Sequence, residues 1–438
     1  MNSELQEQGR QLGLWESICA LTYDLHHGTF NTCICINLQG SLNFDLLSRA
    51  LNKLFLKHPL LHATINLKED GYYYLHLNAE FNNIPIEQKV LQKENAATYL
   101  DYFAQGVNKN LQPELYLWKT LLLTVAETED HYLLISFHHS IIDGISQRTF
   151  INDLLSFYKE LALGNDAPVT PLTLLPSIEK MLPGRVTWQK YNANMKEVIQ
   201  KYGPVLLLPY SKPFSSPEQI ETKVILCDIE ESLTQKLIAK CHQDRIKVHS
   251  ILSAALFLAA EKVEETVNGM SIYHAINLRK LAIPQVSDEN IGCFVDAVLT
   301  IHQHFPLNLS LLARIIEHQL IENRALIGIP PPNFDMAMLR KQAQHYNDTV
   351  SAHQYFSFGL CISNWGQVTF KEQFGSLKLL SIHRSTGLEA GYYPTSLHIA
   401  TINNQIQGAF SYAEPFFSQQ RAEDYASEFH TILSEWAQ

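Results

Sequence analysis

Apolar residues along the chain alternate between two rhythms. One is a period of two, which marks a strand with a covered face; the other is a spacing of three to four, which marks the buried stripe of a helix. TCICINLQG predicts a strand over 32–40, with Cys33, Cys35 and Asn37 opposite Ile34, Ile36 and Leu38, ended by Gly40-Ser41. Phe44, Leu47, Leu51, Leu54 and Phe55 then share one side of a helix over 43–57, which His58-Pro59 stops. Strands on either side of Glu69-Asp70-Gly71 predict a hairpin, and 96–107 predicts a helix. A strand over 116–124 is expected to pair with one starting at His131, across a turn at 127–130.

Residues 164–188 carry four prolines and interrupt both rhythms. The expected organisation is therefore an N-terminal lobe (1–165), a linker (166–188) and a C-terminal lobe (189–438). The second lobe repeats the alternation without repeating the sequence: a strand at 222–229, helices at 231–244 and 250–263, strands at 270–277 and 294–300, and a helix at 309–326. A strand at 355–362, a hairpin of 396–400 with 405–412, and a helix at 422–436 close the chain. The helix containing SILSAALFLAA is apolar on nearly every side and is expected to be buried. The expected fold class is α/β (α+β): two lobes, each a mixed sheet flanked by helices, with the site in a channel where they meet.

Composition narrows the function classes. The chain has 438 residues, 46% hydrophobic and 18% charged, as in a globular protein with a sizeable core. A formal charge of −11 and the lack of any basic run longer than two residues argue against nucleic acid as the main partner. No apolar run reaches the roughly 18 residues of a transmembrane helix, and MNSELQEQGR lacks a signal-peptide core, so a cytoplasmic location is expected. The seven cysteines are scattered and odd in number, which predicts free thiols in a reducing compartment.

The chemistry concentrates in HYLLISFHHSIIDGISQRTFI, residues 131–151. A β-patterned run delivers His138 and His139 to its end, Asp143-Gly144 breaks the pattern, and Phe150, Leu154 and Leu155 begin a helical stripe. An ionisable pair fixed at the end of a buried strand suits acid–base work near neutral pH. Taken alone, such a pair is more often packed or solvated than catalytic. His139 and Asp143 lack a third ligand at metal spacing, and Ser140 lacks the turn of a serine hydrolase. His26-His27 reads as a solvated loop pair or an acceptor entrance, Trp365 as core or channel wall, and Cys293 as a buried thiol.

His138-His139-Ser140-Ile141-Ile142-Asp143-Gly144 resembles the HHxxxDG pattern of the thioester-dependent acyltransferase superfamily. That superfamily includes chloramphenicol acetyltransferase, plant HxxxD acyltransferases, alcohol acetyltransferases, wax ester synthases, polyketide-associated acyltransferases and peptide-synthetase condensation domains. Three further stretches are similar in the right order: LQGSLNFDLLSRALNKLFLKHPLLHATI (38–65), HAINLRKLAIPQVSDENIGCFVDAV (274–298) and CISNWGQV (361–368). The resemblance implies that His139 is the general base beside His138, and that Asp143 pairs with an arginine, Arg279, to hold the loop. Gly144 would allow a close approach. Oxyanion or channel roles would fall near Ser363, Asn364, Trp365 and Gly366.

The resemblance implies no bound cofactor and no metal. Acyl-CoA or an acyl-carrier thioester would be co-substrate, an alcohol or, less readily, an amine the acceptor, and a carrier protein could dock in trans. Amide-forming condensation and a non-catalytic binding member are the alternatives. Lys57 and His62 stand where relatives often carry arginines, so any salt bridge made from there is in question. The resemblance places a loop at 363–366, where SNWG departs from the DFGWG of the plant branch. With no carrier or adenylation domain in the chain a free-standing enzyme is expected, and a monomer because two lobes in one chain can build the channel.

Overall fold

In the computed structural model, the described residues are 9–438 except 27, 109–110, 204–207, 214–219, 265–268, 304–307, 357 and 389–392. The first part of the chain forms β1 (Gly9–Gln11), α1 (Leu14–Leu25), β2 (Asn31–Gly40), α2 (Phe44–Lys57), β3 (Ala63–Leu67), β4 (Tyr73–Leu77), β5 (Ile86–Leu91), α3 (Tyr99–Gln105), β6 (Trp118–Val125), β7 (Asp130–His138) and α4 (Gly144–Ala162). After the proline-rich segment come α5 (Ile178–Met181), α6 (Trp188–Tyr202), β8 (Glu221–Leu226), α7 (Glu231–Asp244), α8 (Val248–Val263), β9 (Met270–Asn277), β10 (Val295–His302), α9 (Leu309–Ile327) and α10 (Met336–His353). The chain ends with β11 (Leu360–Val368), β12 (Gln373–Phe374), β13 (Leu377–Thr386), β14 (Thr395–Ile402), β15 (Gln405–Glu414) and α11 (Gln419–Trp436).

Two mixed six-stranded sheets result, ordered β12-β13-β2-β7-β6-β5 and β10-β9-β11-β14-β15-β8, beside a small sheet β1-β4-β3. The fold is the expected pair of mixed sheets flanked by helices. Strand β2 pairs antiparallel with β7, setting Asn31 opposite His138, and β6 pairs antiparallel with β7 as the pattern predicted. Both faces of β2 are covered: Cys33, Ile34, Cys35 and Ile36 are all buried. Ile34 and Ile36 face a core shared with α2 and α4, while Cys33 and Cys35 join Phe103, Val107 and Leu123 on the other side. The second sheet packs on α7, α8, α9 and α11, and α8 is buried almost all round, as SILSAALFLAA predicted.

Three differences from the sequence reading matter. The strand expected at 355–362 lies at 360–368, so SNWG sits inside β11 rather than in a loop after it. Residues 365–366 form a bulge there, with Asn364 opposite Ile399 and Gln367 opposite Thr401. Second, α6, α10 and β5 were not anticipated; β5 is mostly exposed, so no buried face marked it. Third, β12 and β13 cross back to the first sheet, where β13 pairs with β2, so that sheet draws strands from both sides of the proline-rich segment. The proline-rich segment itself lies against α2: the Leu172 amide donates to the Lys57 carbonyl and Lys53 Nζ to the Ala167 carbonyl. Lys57 does find a partner, Asp153 on α4, at 2.7 Å.

The second lobe holds a hydrogen-bonded histidine chain. His249 Nε2 faces His274 Nδ1 at 3.0 Å, and His274 Nε2 and His302 Nε2 share the Thr300 hydroxyl. Burial pulls His249 and His302 down to about 4 and, with both neighbouring rings, His274 well below its ordinary value. These rings stay neutral in the fold but take up protons near 6.5 in the unfolded chain, so each contributes stability above that pH that is lost as pH falls toward 4. His302→Gln removes one such group. In melts and urea titrations from pH 6 to 4.5 the variant should lose stability less steeply than wild type, by about 1.4 kcal/mol per pH unit. Parallel slopes would remove His302 from that role.

Candidate active site

The site is assembled on one carboxylate. Asp143 caps α4, its Oδ1 accepting from the Ser146 amide at 2.8 Å. Arg279, on the turn after β9, meets it through two nitrogens: Nη1 donates to Oδ2 at 2.7 Å and Nη2 to Oδ1 at 3.1 Å. The Phe294 amide donates to Oδ2 at 2.9 Å. Both members of the ion pair are almost fully buried. Arg279 also donates to the Ser146 hydroxyl and the Asn290 carbonyl, and its guanidinium lies over the Phe294 ring. With its four acceptor bonds made to protein donors, Asp143 is a poor candidate for proton transfer and a strong one for fixing the loop.

The two histidines have different surroundings. His138 is buried at the end of β7, where Nδ1 pairs with the Ser140 hydroxyl at 2.7 Å and the ring packs on Tyr23. Burial, reinforced by the neighbouring His139, brings it down to about 3. His139 begins a one-turn 3-10 helix, stacks on Phe30 at 5.3 Å, and lines a cavity of about 360 Å³. Phe30 holds a left-handed backbone, φ 67°, a strained conformation for an aromatic residue.

Burial works against the charged form of His139, while Cys293, its own carbonyl and the Asp143 carboxylate work for it, and the balance lies above the ordinary value. The Cys293 thiol is itself pushed well above 9, by its hydrogen bond to Cys19 and by burial. Cys293 therefore keeps its proton at neutral pH. His139 thus has an uncharged thiol beside it, and the Asp143 carboxylate favours the imidazolium that proton transfer forms.

The cavity draws its walls from both lobes, including Phe30, His139, Cys293, Ser363, Arg384 and His398. The four residues of SNWG divide between two spaces. Ser363 faces the His139 cavity, whereas Asn364, Trp365 and Gly366 line an adjoining cavity of about 1020 Å³; the two share Trp15, Ala275, Asp296, Ala297 and Tyr393 as walls. Asn364 Oδ1 accepts from the Gly366 amide, and Gly366 takes φ 72° in the bulge. Trp365 packs against Gly144: a Cβ there would sit 2.6 Å from the indole Nε1, so a close approach, not an unusual φ, requires the glycine.

Arg384 and His398 were not anticipated. Arg384 arrives on β13, which pairs with β2 from the far end of the chain. Its Nη1 donates to Ser363 Oγ at 3.0 Å, its Nη2 to the Ser363 carbonyl at 2.6 Å, and its guanidinium lies over the Trp365 ring. Burial brings it down to about 9, so it stays charged at neutral pH. His398 pairs with the Thr386 hydroxyl at 3.1 Å and is held well below its ordinary value by burial, Arg384 and His139. An arginine in a strand of mixed pattern gives no local signal of a site. His26 is buried rather than solvated, and His27 lies outside the described residues.

Comparison with known proteins places these features in context. The family model described as "Condensation domain" matches residues 19–438. A linear gramicidin synthase from Brevibacillus parabrevis is 21% identical over 418 residues, 92% of this chain but 5% of that protein. Phthiocerol/phthiodiolone dimycocerosyl transferase from Mycobacterium ulcerans is 24% identical over 266 residues, 58% of this chain and 59% of its own. The chain thus spans less than two thirds of either relative. Among solved structures, TRI3 trichothecene 15-O-acetyltransferase from Fusarium sporotrichioides shares the fold, with a TM-score of 0.76 at 11% identity, covering 99% of this chain and 96% of that one.

The Asp143–Arg279 pair generates a stability prediction. Asp143→Ala leaves a buried guanidinium without its carboxylate and should cost about 3–5 kcal/mol in urea unfolding. Arg279→Ala strands the carboxylate and should cost a similar amount, while the double variant should cost clearly less than the sum. Additive costs would show that the two residues do not act as a pair.

Proposed function

Because this chain belongs to the condensation-domain family, we propose that it is an acyltransferase that moves an acyl group from a CoA or carrier-protein thioester to an alcohol, with His139 as general base. One observation carries the reading: His139 presents its imidazole to a cavity walled by both lobes, while Asp143 is saturated by protein donors and His138 is tied to Ser140. The acceptor hydroxyl gives its proton to His139 as its oxygen attacks the thioester carbonyl. The tetrahedral oxyanion is met by Ser363. Because Ser363 Oγ accepts from Arg384, its own proton is free to point into the cavity. The C–S bond then breaks, and the imidazolium returns its proton to the departing thiolate. The proton passes from acceptor to leaving group through His139, and no covalent enzyme intermediate is required.

The names of the dimycocerosyl transferase and the 15-O-acetyltransferase support an ester product. Alignment with the linear gramicidin synthase along most of the chain supports the second reading, an amine acceptor and a carrier-bound donor. A binding-only member is the third, and the intact HHxxxDG weighs against it.

Thiol release from acyl-CoAs, acetyl to palmitoyl, and from matching acyl-pantetheine carriers, with pooled alcohols and amines, tests the proposal. Acceptor-dependent release should fall about 10²–10⁴-fold in His139→Ala and about 10²–10³-fold in Ser363→Ala. Wild-type release that survives in His139→Ala would refute the assignment of the base. Release with amines alone would favour the second reading, and no release with any donor the third.

A further inference from the structure

Beside the proposed base lie two thiols. Cys19 on α1, His139 on the turn after β7, and Cys293 just before β10 each offer one ligand atom, and these three atoms lie within 4.8 Å of one another. Around a tetrahedral zinc ion, bonds of about 2.3 Å to sulfur and 2.0–2.1 Å to nitrogen put neighbouring ligands about 3.4–3.8 Å apart. Roughly 1 Å of closure, within reach of side-chain rotation, separates the present positions from that geometry.

The cluster is built rather than incidental. The amides on either side of Cys293 are pinned, Gly292 to the Ser146 hydroxyl and Phe294 to Asp143, both at 2.9 Å. Cys19 and Cys293 are buried, and neither is in a disulfide. His139 Nδ1 is buried without a hydrogen-bond partner. Two sulfurs and one imidazole form the donor set of a soft or borderline ion and not of magnesium or calcium. Because His139 and both cysteines line the cavity, a fourth position opens onto water.

We propose that Cys19, Cys293 and His139 form a binding site for a thiophilic metal ion such as zinc, and that the bound ion switches transfer off by occupying the imidazole. Both thiols give up their protons to solvent as the two metal–sulfur bonds form. The ion also joins α1 in the first lobe to the 292–294 segment of the second. The inhibitory half of the proposal rests on His139 being the base; the binding half does not.

The test reads the metal directly. Reduced, chelator-treated full-length protein is titrated with Co²⁺ for thiolate charge-transfer and tetrahedral ligand-field absorption, and the one-to-one zinc complex is measured by X-ray absorption. One equivalent should bind with two sulfurs at about 2.3 Å and at least one nitrogen. Charge transfer should disappear in Cys19→Ser/Cys293→Ser and persist in Cys227→Ala. Zinc bound without sulfur, or charge transfer retained in the double variant, overturns the site. If the double variant does not fold, the wild-type X-ray absorption decides alone. Transfer should stop at one equivalent of zinc and return with chelator; undiminished transfer by the sulfur-bound zinc complex overturns the inhibition. A fully active His139→Ala would remove the base assignment while leaving the sulfur count readable.

Discussion

The buried Asp143–Arg279 ion pair is the constraint on which the rest of the site depends. A bare carboxylate or guanidinium at this depth would cost several kcal/mol, so each holds the other, and their remaining hydrogen-bonding capacity organises neighbouring backbone. Asp143 starts α4 and anchors the Phe294 amide; Arg279 anchors Ser146 and Asn290. One contact therefore sets where the HHxxxDG turn ends, where Cys293 sits, and how the second lobe approaches the first. Such a pair need add no net stability over an apolar replacement; what it supplies is a single arrangement of three segments.

The second organising feature is the crossover. β13 leaves the second half of the chain, joins the first sheet beside β2, and stays in contact with the second lobe: Ser385 meets Ser411, His383 meets Asp228, and the Ile382 amide donates to Gln407. This shared strand explains how a cavity walled by both lobes keeps one shape. It also delivers Arg384 opposite Ile34, from where it reaches Ser363 on β11. Polar side chains in the middle of a paired strand are costly unless paired, and here His383 and Ser385 find partners in the opposite lobe, as do both terminal nitrogens of Arg384.

This accounts for what the sequence could and could not tell. The helices α2 and α4 were legible because one core sets a single buried stripe on each, and α8 because it is apolar nearly all round. The HHxxxDG stretch was legible because its residues are local to one strand–turn–helix. β13 was not: LKLLSIHRST mixes a core face with polar residues whose partners lie far away in sequence, so it has neither a clean alternation nor a turn signature. SNWG was expected in a loop because it resembles the S-N-x-G and D-F-G-W-G loops of the superfamily, yet a bulge accommodates it within β11. The nearness of Cys19 and Cys293 to His139 was likewise invisible, since three segments far apart in sequence converge only after both lobes are in place.

Three histidines share this region, and their surroundings separate their roles. His138 has no access to the cavity and is bonded to Ser140; its burial fixes the end of β7. His398 faces the cavity but has Nε2 bonded to Thr386, and burial together with the Arg384 charge lowers its basicity further. His139 stands on a turn, not a strand, with an aromatic face behind it and an uncharged thiol beside it. A general base must be neutral before the reaction and must tolerate charge during it. Burial favours the first condition, and the Asp143 carboxylate, close enough to favour an imidazolium, favours the second. The carboxylate that locks the loop thus also tunes the base, without touching the proton.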